Sequence, residues 1–186
     1  SILSQSTKVS PHLHIPIQSG DDEILRRMNR GYDPFLLRDL IEELHRSIPE
    51  VSIGADVIIG FPGETEERFK NTYQLIESLP LSYLHVFPFS KRKGTPAAQL
   101  DQQTGGREIK QRAEGMRELG RQKRRSFYRR FLHQALNVLV EDRREKGSGR
   151  WRGLSRNYIP VHLLDGDDLN LANQEQRIVV TEWNDK

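Results

Sequence analysis

One ionisable side chain interrupts a run of residues that is otherwise apolar. Asp56 lies within VSIGADVIIG, residues 51–60, whose β-branched and continuously apolar ending is typical of a buried parallel strand. A carboxylate in such a strand needs partners, because burying an unpaired charge is costly. Asp56 therefore either orients a hydroxyl group of a ligand or satisfies a local backbone network.

The loop GFPGET, residues 60–65, follows this strand and precedes a predicted helix. The carboxyl ends of strands build the site in parallel α/β folds, so Gly60, Phe61, Gly63 and Glu64 are predicted to lie at its mouth. Glycine lets a ligand approach the backbone, and the helix that follows offers free N–H groups. An ordinary turn between a strand and a helix explains the same residues equally well.

Three polar residues alternate along the first predicted strand, HLHIPIQSG, at positions 12, 14 and 18. Alternation places His12, His14 and Gln18 on one face. Two histidines at this spacing can bind a metal ion, but the sequence shows no further ligand cluster beside them, so a structural role is favoured for both. Gln18, at the end of the strand, is the better candidate for contact with a ligand.

The net charge of +3 hides a basic segment. Residues 107–130 contain ten basic and three acidic side chains, which raises the question of contact with a polyanion. Phe127 and Phe131 within this segment have the spacing of core residues on a helix. Further basic residues follow the third strand, at Lys91, Arg92 and Lys93, and surround Trp151 and Tyr158 in the sequence RWRGLSRNY. A solvated charged surface is the alternative reading of the basic loop.

The chain has no cysteine, which excludes disulfides, a thiolate zinc site, a thiol nucleophile and a cysteine-ligated iron–sulfur cluster within it. Its 186 residues contain no apolar stretch near the ~20 residues needed to span a bilayer, and no secretory signal is seen. A cysteine-free chain fits a reducing compartment, so a cytoplasmic location is expected.

The order of the predicted elements favours an α/β fold. Strands at 12–20, 51–60 and 82–89 alternate with helices that begin after Asp33 and Thr65, which implies a parallel sheet. One helix has a stripe that predicts its sheet-facing side, formed by Leu36, Leu40, Leu44 and Ile48 with Leu37 and Ile41 beside them. Residues 90–106 are predicted to be a loop and 107–134 a helix. Short apolar segments separated by turn residues then indicate a small β-barrel.

Three long motifs carry a resemblance to a known family. HLHIPIQSGDDEILRRMNRGY, DVIIGFPGETEERFKNT and HVFPFSKRKGTPAA resemble, in order and spacing, the later part of the radical-SAM methylthiotransferases, and the tail resembles their RNA-binding TRAM domain. The resemblance implies the C-terminal portion of a radical-SAM, partial TIM-type β/α barrel followed by a small all-β, OB-like TRAM barrel. Residues 1–106 would be the barrel units, 107–132 a basic connecting helix and 133–186 the TRAM domain.

The resemblance also implies an activity. Enzymes of this family use S-adenosylmethionine and two 4Fe–4S clusters to add a methylthio group to a modified adenosine beside the anticodon of tRNA. HVFPFSKRKGTPAA and GLSRNYIPV look most like the branch that acts on threonylcarbamoyladenosine, with the isopentenyl-adenosine and ribosomal-protein branches as alternatives. The six cluster cysteines are absent, so we expect a fragment of a parent enzyme that is inactive alone. A non-catalytic RNA-binding module is the other alternative for this chain.

Site residues follow from the same resemblance, and none of them is catalytic or metal-binding. The residues implied to approach S-adenosylmethionine and the nucleoside are Gln18, Asp56, Gly60, Phe61, Glu64, Phe87 and Pro88. Those implied to contact RNA are Arg92, Lys93, Arg124, Arg125, Arg150, Arg152, Arg156, Asn157 and Tyr158. The expected partner is the anticodon stem–loop of tRNA, with no membrane. Unpaired edge strands of a partial barrel also predict self-association.

Overall fold

A computed structural model of the protein describes residue 6, residues 8–164 and residues 171–183. The chain divides into two compact units. The first comprises Ser1–His12, Glu50–Ser52 and Arg125–Lys186, and the second comprises Leu13–Pro49 and Ile53–Arg124. The division at residues 124 and 125 falls inside one long helix, so that helix contributes residues to both units.

A three-stranded sheet organises the second unit. Its strands are β1 (His12–Gln18), β2 (Ser52–Ile59) and β3 (Tyr83–Pro88), in the order β1-β2-β3. Strands β2 and β3 are parallel, with Asp56 opposite His85. The expected alternation of strands and helices and the parallel sheet are therefore confirmed.

Within the described residues, five helices accompany the strands, and local capping explains where most of them begin. They are α1 (Asp22–Arg27), α2 (Pro34–Ser47), α3 (Glu66–Ser78), α4 (Pro96–Gln99) and α5 (Gly106–Arg129). The side chains of Asp21, Asp33 and Thr65 accept hydrogen bonds from the first-turn N–H groups of α1, α2 and α3. The predicted caps Asp33 and Thr65 are thus confirmed.

The core of the second unit lies against one face of β2. Ile53, Ala55, Val57 and Ile59 are fully buried there, because strand side chains alternate between the two faces. The helices supply the other side of this core, with Leu37, Ile41, Leu75 and Ile76 buried.

The predicted sheet-facing stripe of α2 is confirmed for only some of its residues. Leu36 and Leu40 are 56% and 46% exposed, whereas Leu37 and Ile41 are buried. Successive helical residues differ by about 100° around the axis, so a shift of one residue changes the buried side. Both sets have helical spacing, and packing against the sheet selects the second.

Two further boundaries differ from the prediction. The short helix α4 lies inside the segment predicted to be a loop, with Thr95 and Pro96 at its start. Helix α5 ends at Arg129 rather than near residue 134, and a tight turn follows in which the Gln134 N–H donates to the Phe131 carbonyl.

The first unit contains a four-stranded antiparallel sheet. Its strands are β4 (Ala135–Arg144), β5 (Trp151–Ser155), β6 (Pro160–His162) and β7 (Glu175–Val179), in the order β6-β5-β4-β7. Phe127, Phe131 and Ile159 form a buried cluster in this unit, which confirms the predicted core role of the two phenylalanines. The short strands predicted after residue 132 are present, and closure into a TRAM barrel stays a prediction.

Among the helices described here, none is long and apolar enough to cross a membrane.

Candidate functional site

The second unit has a sheet face that its helices do not cover. On β3, Leu84 is buried in the core while His85 and Phe87 are exposed on the opposite face. On β2, Asp56 is only partly buried between the fully buried Ala55 and Val57. We call this surface the polar sheet face and define it by His14, Asp56, Tyr83, His85 and Phe87.

Three ionisable side chains meet on the polar sheet face, one from each strand. His14 Nε2 lies 2.8 Å from Asp56 Oδ1, and His85 Nδ1 lies 3.3 Å from the same oxygen. All three ligand-type atoms lie within 4.8 Å of one another. Asp56 thus has side-chain partners rather than the local backbone network that the sequence also allowed.

A glycine allows an aromatic ring to border this cluster. A Cβ atom added to Gly54 would lie 2.1 Å from the ring of Tyr83, so only glycine leaves room for the ring at this point. The Tyr83 hydroxyl reaches 3.3 Å from His14 Nδ1. The rings of Tyr83 and His85 lie 5.3 Å apart between centroids. Phe87 continues the aromatic surface with its ring edge-on to His85.

The strand-end loop is held by a buried ion pair. Glu64 Oε1 accepts hydrogen bonds from the Gly60 N–H at 3.0 Å and from Arg112 Nη1 at 3.1 Å. The side chains of Glu64 and Arg112 are 1% and 5% exposed. Burial raises the pKa of Glu64, although the Gly60 and Arg112 hydrogen bonds act in the opposite direction. Arg112 also pairs with Glu66 and Glu108.

The conformation and packing of this loop require a glycine at residue 60, so no ligand is needed to explain it. Gly60 has a φ of +80°, which favours glycine, and an added Cβ would lie 2.3 Å from Ile109 on α5. The space beside Gly60 is therefore filled by the protein's own helix. Phe61 is also buried, with its ring against Phe89. The structure thus engages Gly60, Phe61 and Glu64 in the fold.

The other residues implied to approach S-adenosylmethionine lie on or beside the polar sheet face. Gln18 ends β1 and is buried, and its Oε1 accepts a hydrogen bond from Arg30 Nη2 at 3.4 Å. Phe87 and Pro88 are exposed at the carboxyl end of β3. Because β2 and β3 are parallel, their carboxyl ends meet at one edge of the sheet, as the sequence predicted.

The implied RNA contacts of the second unit are exposed. Arg92 and Lys93 lie in the loop between β3 and α4, and Arg124 lies on α5. Within the second unit these cations are available to solvent, as expected of either an RNA contact or a solvated surface.

In the first unit, two of the implied RNA contacts are engaged within the protein. Asn157 is buried, accepts a hydrogen bond from the Ser155 hydroxyl at 2.6 Å and donates to the Glu50 carbonyl at 3.2 Å. Arg156 pairs with Glu175 through two hydrogen bonds of 2.7 and 3.2 Å. Both residues border a pocket of about 290 Å³ that Asn137 and Arg177 also line.

Other members of the predicted RNA surface are exposed. Tyr158 has a φ of +63° and stacks on His12 with the ring centroids 3.8 Å apart. Arg152 lies 3.6 Å from Glu141, a separation typical of a weak surface pair. Arg125 and Arg150 are exposed on α5 and before β5. The surface of the first unit therefore includes an aromatic ring and several guanidinium groups.

Sequence reasoning did not indicate His85 or Arg112. A signal for His85 was present: His14 stands four residues before the end of β1, and Asp56 and His85 each stand three residues before the ends of β2 and β3. Aligning neighbouring parallel strands by their carboxyl ends places such residues side by side. No comparable signal marks Arg112, whose partner Glu64 lies 48 residues away.

Comparison with known proteins connects both units to one group of enzymes. Residues 6–76 match the family model of the radical SAM superfamily. The threonylcarbamoyladenosine tRNA methylthiotransferase of Rickettsia prowazekii is 40% identical over 162 residues, which are 87% of this chain and 37% of that protein. The enzyme of the same name from Bacillus subtilis is 35% identical over 170 residues, or 90% and 38% of the two chains.

A third similar protein is the tRNA-2-methylthio-N(6)-dimethylallyladenosine synthase of Thermobifida fusca, which is 36% identical over 163 residues, or 86% and 33% of the two chains. By sequence, this chain is similar to the radical-SAM tRNA methylthiotransferases. The chain spans little more than a third of the length of the methylthiotransferases that it matches.

Proposed function

We propose that this chain is part of a tRNA methylthiotransferase that adds a methylthio group to a modified adenosine beside the anticodon. The observation that carries the proposal is the reach of the similarity, since the alignment to the Rickettsia prowazekii enzyme covers 87% of the chain and so includes residues of both units. A shared radical SAM domain alone would support only the chemistry of the superfamily.

The polar sheet face of the second unit is the proposed position of S-adenosylmethionine and the target nucleoside. Asp56 offers a carboxylate that accepts hydrogen bonds from hydroxyl or ammonium groups, and the exposed ring of Phe87 offers a surface on which an adenine can stack. These side chains fit such a ligand, whereas Gly60, Phe61 and Glu64 serve the fold. When bound, S-adenosylmethionine would supply the radical, and the protein would position it.

The iron–sulfur clusters of the family find no ligands in this chain. It contains no cysteine, and thiolates are the usual ligands of 4Fe–4S clusters. The proposed role of this chain is therefore to position substrate and cofactor.

The first unit is the proposed RNA contact. Arg150, Arg152 and Tyr158 combine guanidinium groups with an exposed aromatic ring, a combination that holds phosphates and stacks on bases. Arg92 and Lys93 of the second unit would add to the same task. The anticodon stem–loop is the proposed RNA because it contains the adenosine to be modified.

Threonylcarbamoyladenosine is the proposed target base. The support is the pair of segments HVFPFSKRKGTPAA and GLSRNYIPV, together with the relatives from Rickettsia prowazekii and Bacillus subtilis whose names include this nucleoside.

A segment exchange tests the proposal. The matching part of the Bacillus subtilis enzyme is replaced by this chain in cells that lack the resident gene, and tRNA nucleosides are quantified by mass spectrometry. We expect the methylthiolated form of threonylcarbamoyladenosine to return. Return of methylthiolated dimethylallyladenosine alone would contradict the proposed base. If the exchange protein is expressed and folded but no methylthiolated nucleoside is found, the proposed function is contradicted. A methylthiolated ribosomal protein in the same cells would instead indicate the ribosomal-protein activity.

A further inference from the structure

We propose that His14, Asp56 and His85 form a binding site for one divalent transition-metal ion, such as Zn²⁺ or Fe²⁺, on the polar sheet face. The donors are two imidazole nitrogens and one carboxylate oxygen, each from a different strand of the same sheet. This donor set is the one found at catalytic zinc sites and at non-haem iron sites that keep open positions. The inference depends on these side chains alone and goes beyond the proposed tRNA modification.

The separations of the three donor atoms suit a shared ion. Ligands about 2.0–2.1 Å from zinc at tetrahedral angles lie about 3.3 Å apart. His85 Nδ1 lies 3.3 Å from Asp56 Oδ1, and His14 Nε2 lies 2.8 Å from that oxygen. The backbone already holds the donors in place, because Asp56 and His85 are register partners in β2 and β3. The two imidazole nitrogens lie within 4.8 Å of each other. Binding of an ion would lengthen the separation of His14 Nε2 and Asp56 Oδ1 by about half an ångström.

A neighbouring hydroxyl group sets the orientation of one imidazole. The Tyr83 oxygen lies 3.3 Å from His14 Nδ1, on the side of the ring away from Asp56. A proton on Nδ1 donated toward Tyr83 leaves the lone pair of Nε2 directed at the cluster. Metal-binding histidines commonly have such a partner on their second nitrogen, which fixes the tautomer and raises ligand basicity. Gly54 permits this arrangement, because any larger residue would displace the Tyr83 ring.

The site is open on one side. The side chains of His14, Asp56 and His85 are 32%, 26% and 52% exposed. Three protein ligands leave at least one coordination position of a zinc or iron ion for water or for a substrate oxygen or nitrogen. A structural zinc site, by contrast, is closed by four protein ligands. The ion would therefore keep a position free for an external ligand.

Metal titration of the full 186-residue chain tests this site without RNA or S-adenosylmethionine. Calorimetry with Zn²⁺ is combined with visible absorption of Co²⁺ as a spectroscopic probe of nitrogen and oxygen coordination. We expect one ion per chain for the natural sequence. Asp56→Asn and His85→Gln should each weaken binding at least ~10-fold, and Tyr83→Phe should weaken it less, up to about 10-fold.

Matched controls separate the cluster from surface binding. His162→Gln and Asp39→Asn change a histidine and an aspartate outside the cluster and should leave binding unchanged. Circular dichroism confirms that each variant is folded. Absence of binding to the folded natural chain would overturn the proposal, and so would equal affinity in Asp56→Asn, His85→Gln and the controls. Because the titration uses no tRNA, its failure would leave the nucleoside assay of the exchange protein unaffected.

Discussion

At the scale of single residues, Glu64 shows how a loop beside a site is fixed by contacts made elsewhere. Its carboxylate accepts hydrogen bonds from the Gly60 N–H and the Arg112 guanidinium. The side chains of Glu64 and Arg112 are almost fully buried. A buried pair of this kind stabilises little relative to apolar residues, but removing one partner leaves the other charge uncompensated. The ion pair thus fixes the turn that follows β2.

Glu64→Gln is expected to lower the free energy of unfolding by about 2 kcal/mol. Glutamine keeps an oxygen for the Gly60 N–H, and Arg112 keeps Glu66 and Glu108 as partners, so the loss stays below the 3–5 kcal/mol typical of breaking a buried pair. Urea unfolding followed by circular dichroism measures the change. Asp39→Asn, an exposed change on α2, should cost less than about 0.5 kcal/mol, and an equal effect of the two variants would refute the role of Glu64.

The sequence indicated some residues of the polar sheet face and missed others. Asp56 was found because a carboxylate in an apolar strand needs partners, and Phe87 through the family resemblance. His14 was assigned a structural role because its partners lie 42 and 71 residues further along the chain. Such a cluster depends on strand order and register, which a single chain segment does not encode.

At the scale of elements, one side chain of α5 binds the C-terminal end of α3. Lys123 Nζ donates hydrogen bonds to the carbonyls of Glu77 and Leu79, at 2.9 and 2.7 Å. Carbonyls in the last turn of a helix lack intrahelical partners, so a cation there satisfies two of them. Partial burial lowers the pKa of Lys123, which shows that its ammonium group has lost part of its hydration.

Lys123→Met should destabilise the protein by about 1–2 kcal/mol, because it keeps the apolar stem and removes both hydrogen bonds. Thermal unfolding of the variant is compared with that of Lys110→Met, which changes an exposed lysine of the same helix. The control should change the free energy of unfolding by less than about 0.5 kcal/mol. Indistinguishable melting curves for the two variants would show that Lys123 does not hold α3 and α5 together.

Local signals predicted most elements, and packing decided the remainder. Asp33 with Pro34, and Thr65, marked two helix starts because their side chains and ring geometry act within one turn. Which residues of the predicted α2 stripe are buried was not predictable, since Leu36 and Leu37 each begin a series with helical spacing. Helix α4 was missed because four residues give too short a pattern to distinguish a helix from a turn.

At the scale of the whole molecule, the proposed function predicts RNA binding that weakens with salt. Two or three phosphate contacts would reduce affinity for an anticodon stem–loop about 10-fold between roughly 50 and 200 mM salt. Fluorescence anisotropy measures this dependence. The double variant Arg150→Ala with Arg152→Ala should lower the slope of log affinity against log salt by about 1.5.

The control for RNA binding changes two arginines of α2, Arg38→Ala with Arg46→Ala, which pair with glutamates on the same helix. This variant should bind RNA as the natural chain does. Affinity that is insensitive to salt, or an equal loss in both double variants, would contradict a specific contact through the first unit.

Self-association is a second prediction at this scale. In the part of the chain that the structure describes, β1 and β3 each pair on one side only, so their outer edges offer hydrogen-bonding groups to another copy. Sedimentation velocity over a range of concentrations should show a sedimentation coefficient that rises with concentration. A monodisperse monomer at all concentrations would show that these edges do not pair between chains.

We have proposed that the polar sheet face positions substrate in a tRNA methylthiotransferase. The most direct test of this proposal is the nucleoside content of tRNA from cells that carry the exchange protein. Phe87→Ala on that face is compared with Phe35→Ala, an exposed phenylalanine on α2. We predict that Phe87→Ala lowers methylthiolated threonylcarbamoyladenosine at least ~10-fold, because misplacing a reacting group costs that much or more, while Phe35→Ala has no effect. Equal amounts of the nucleoside in both variants, at equal protein levels, would contradict the claim.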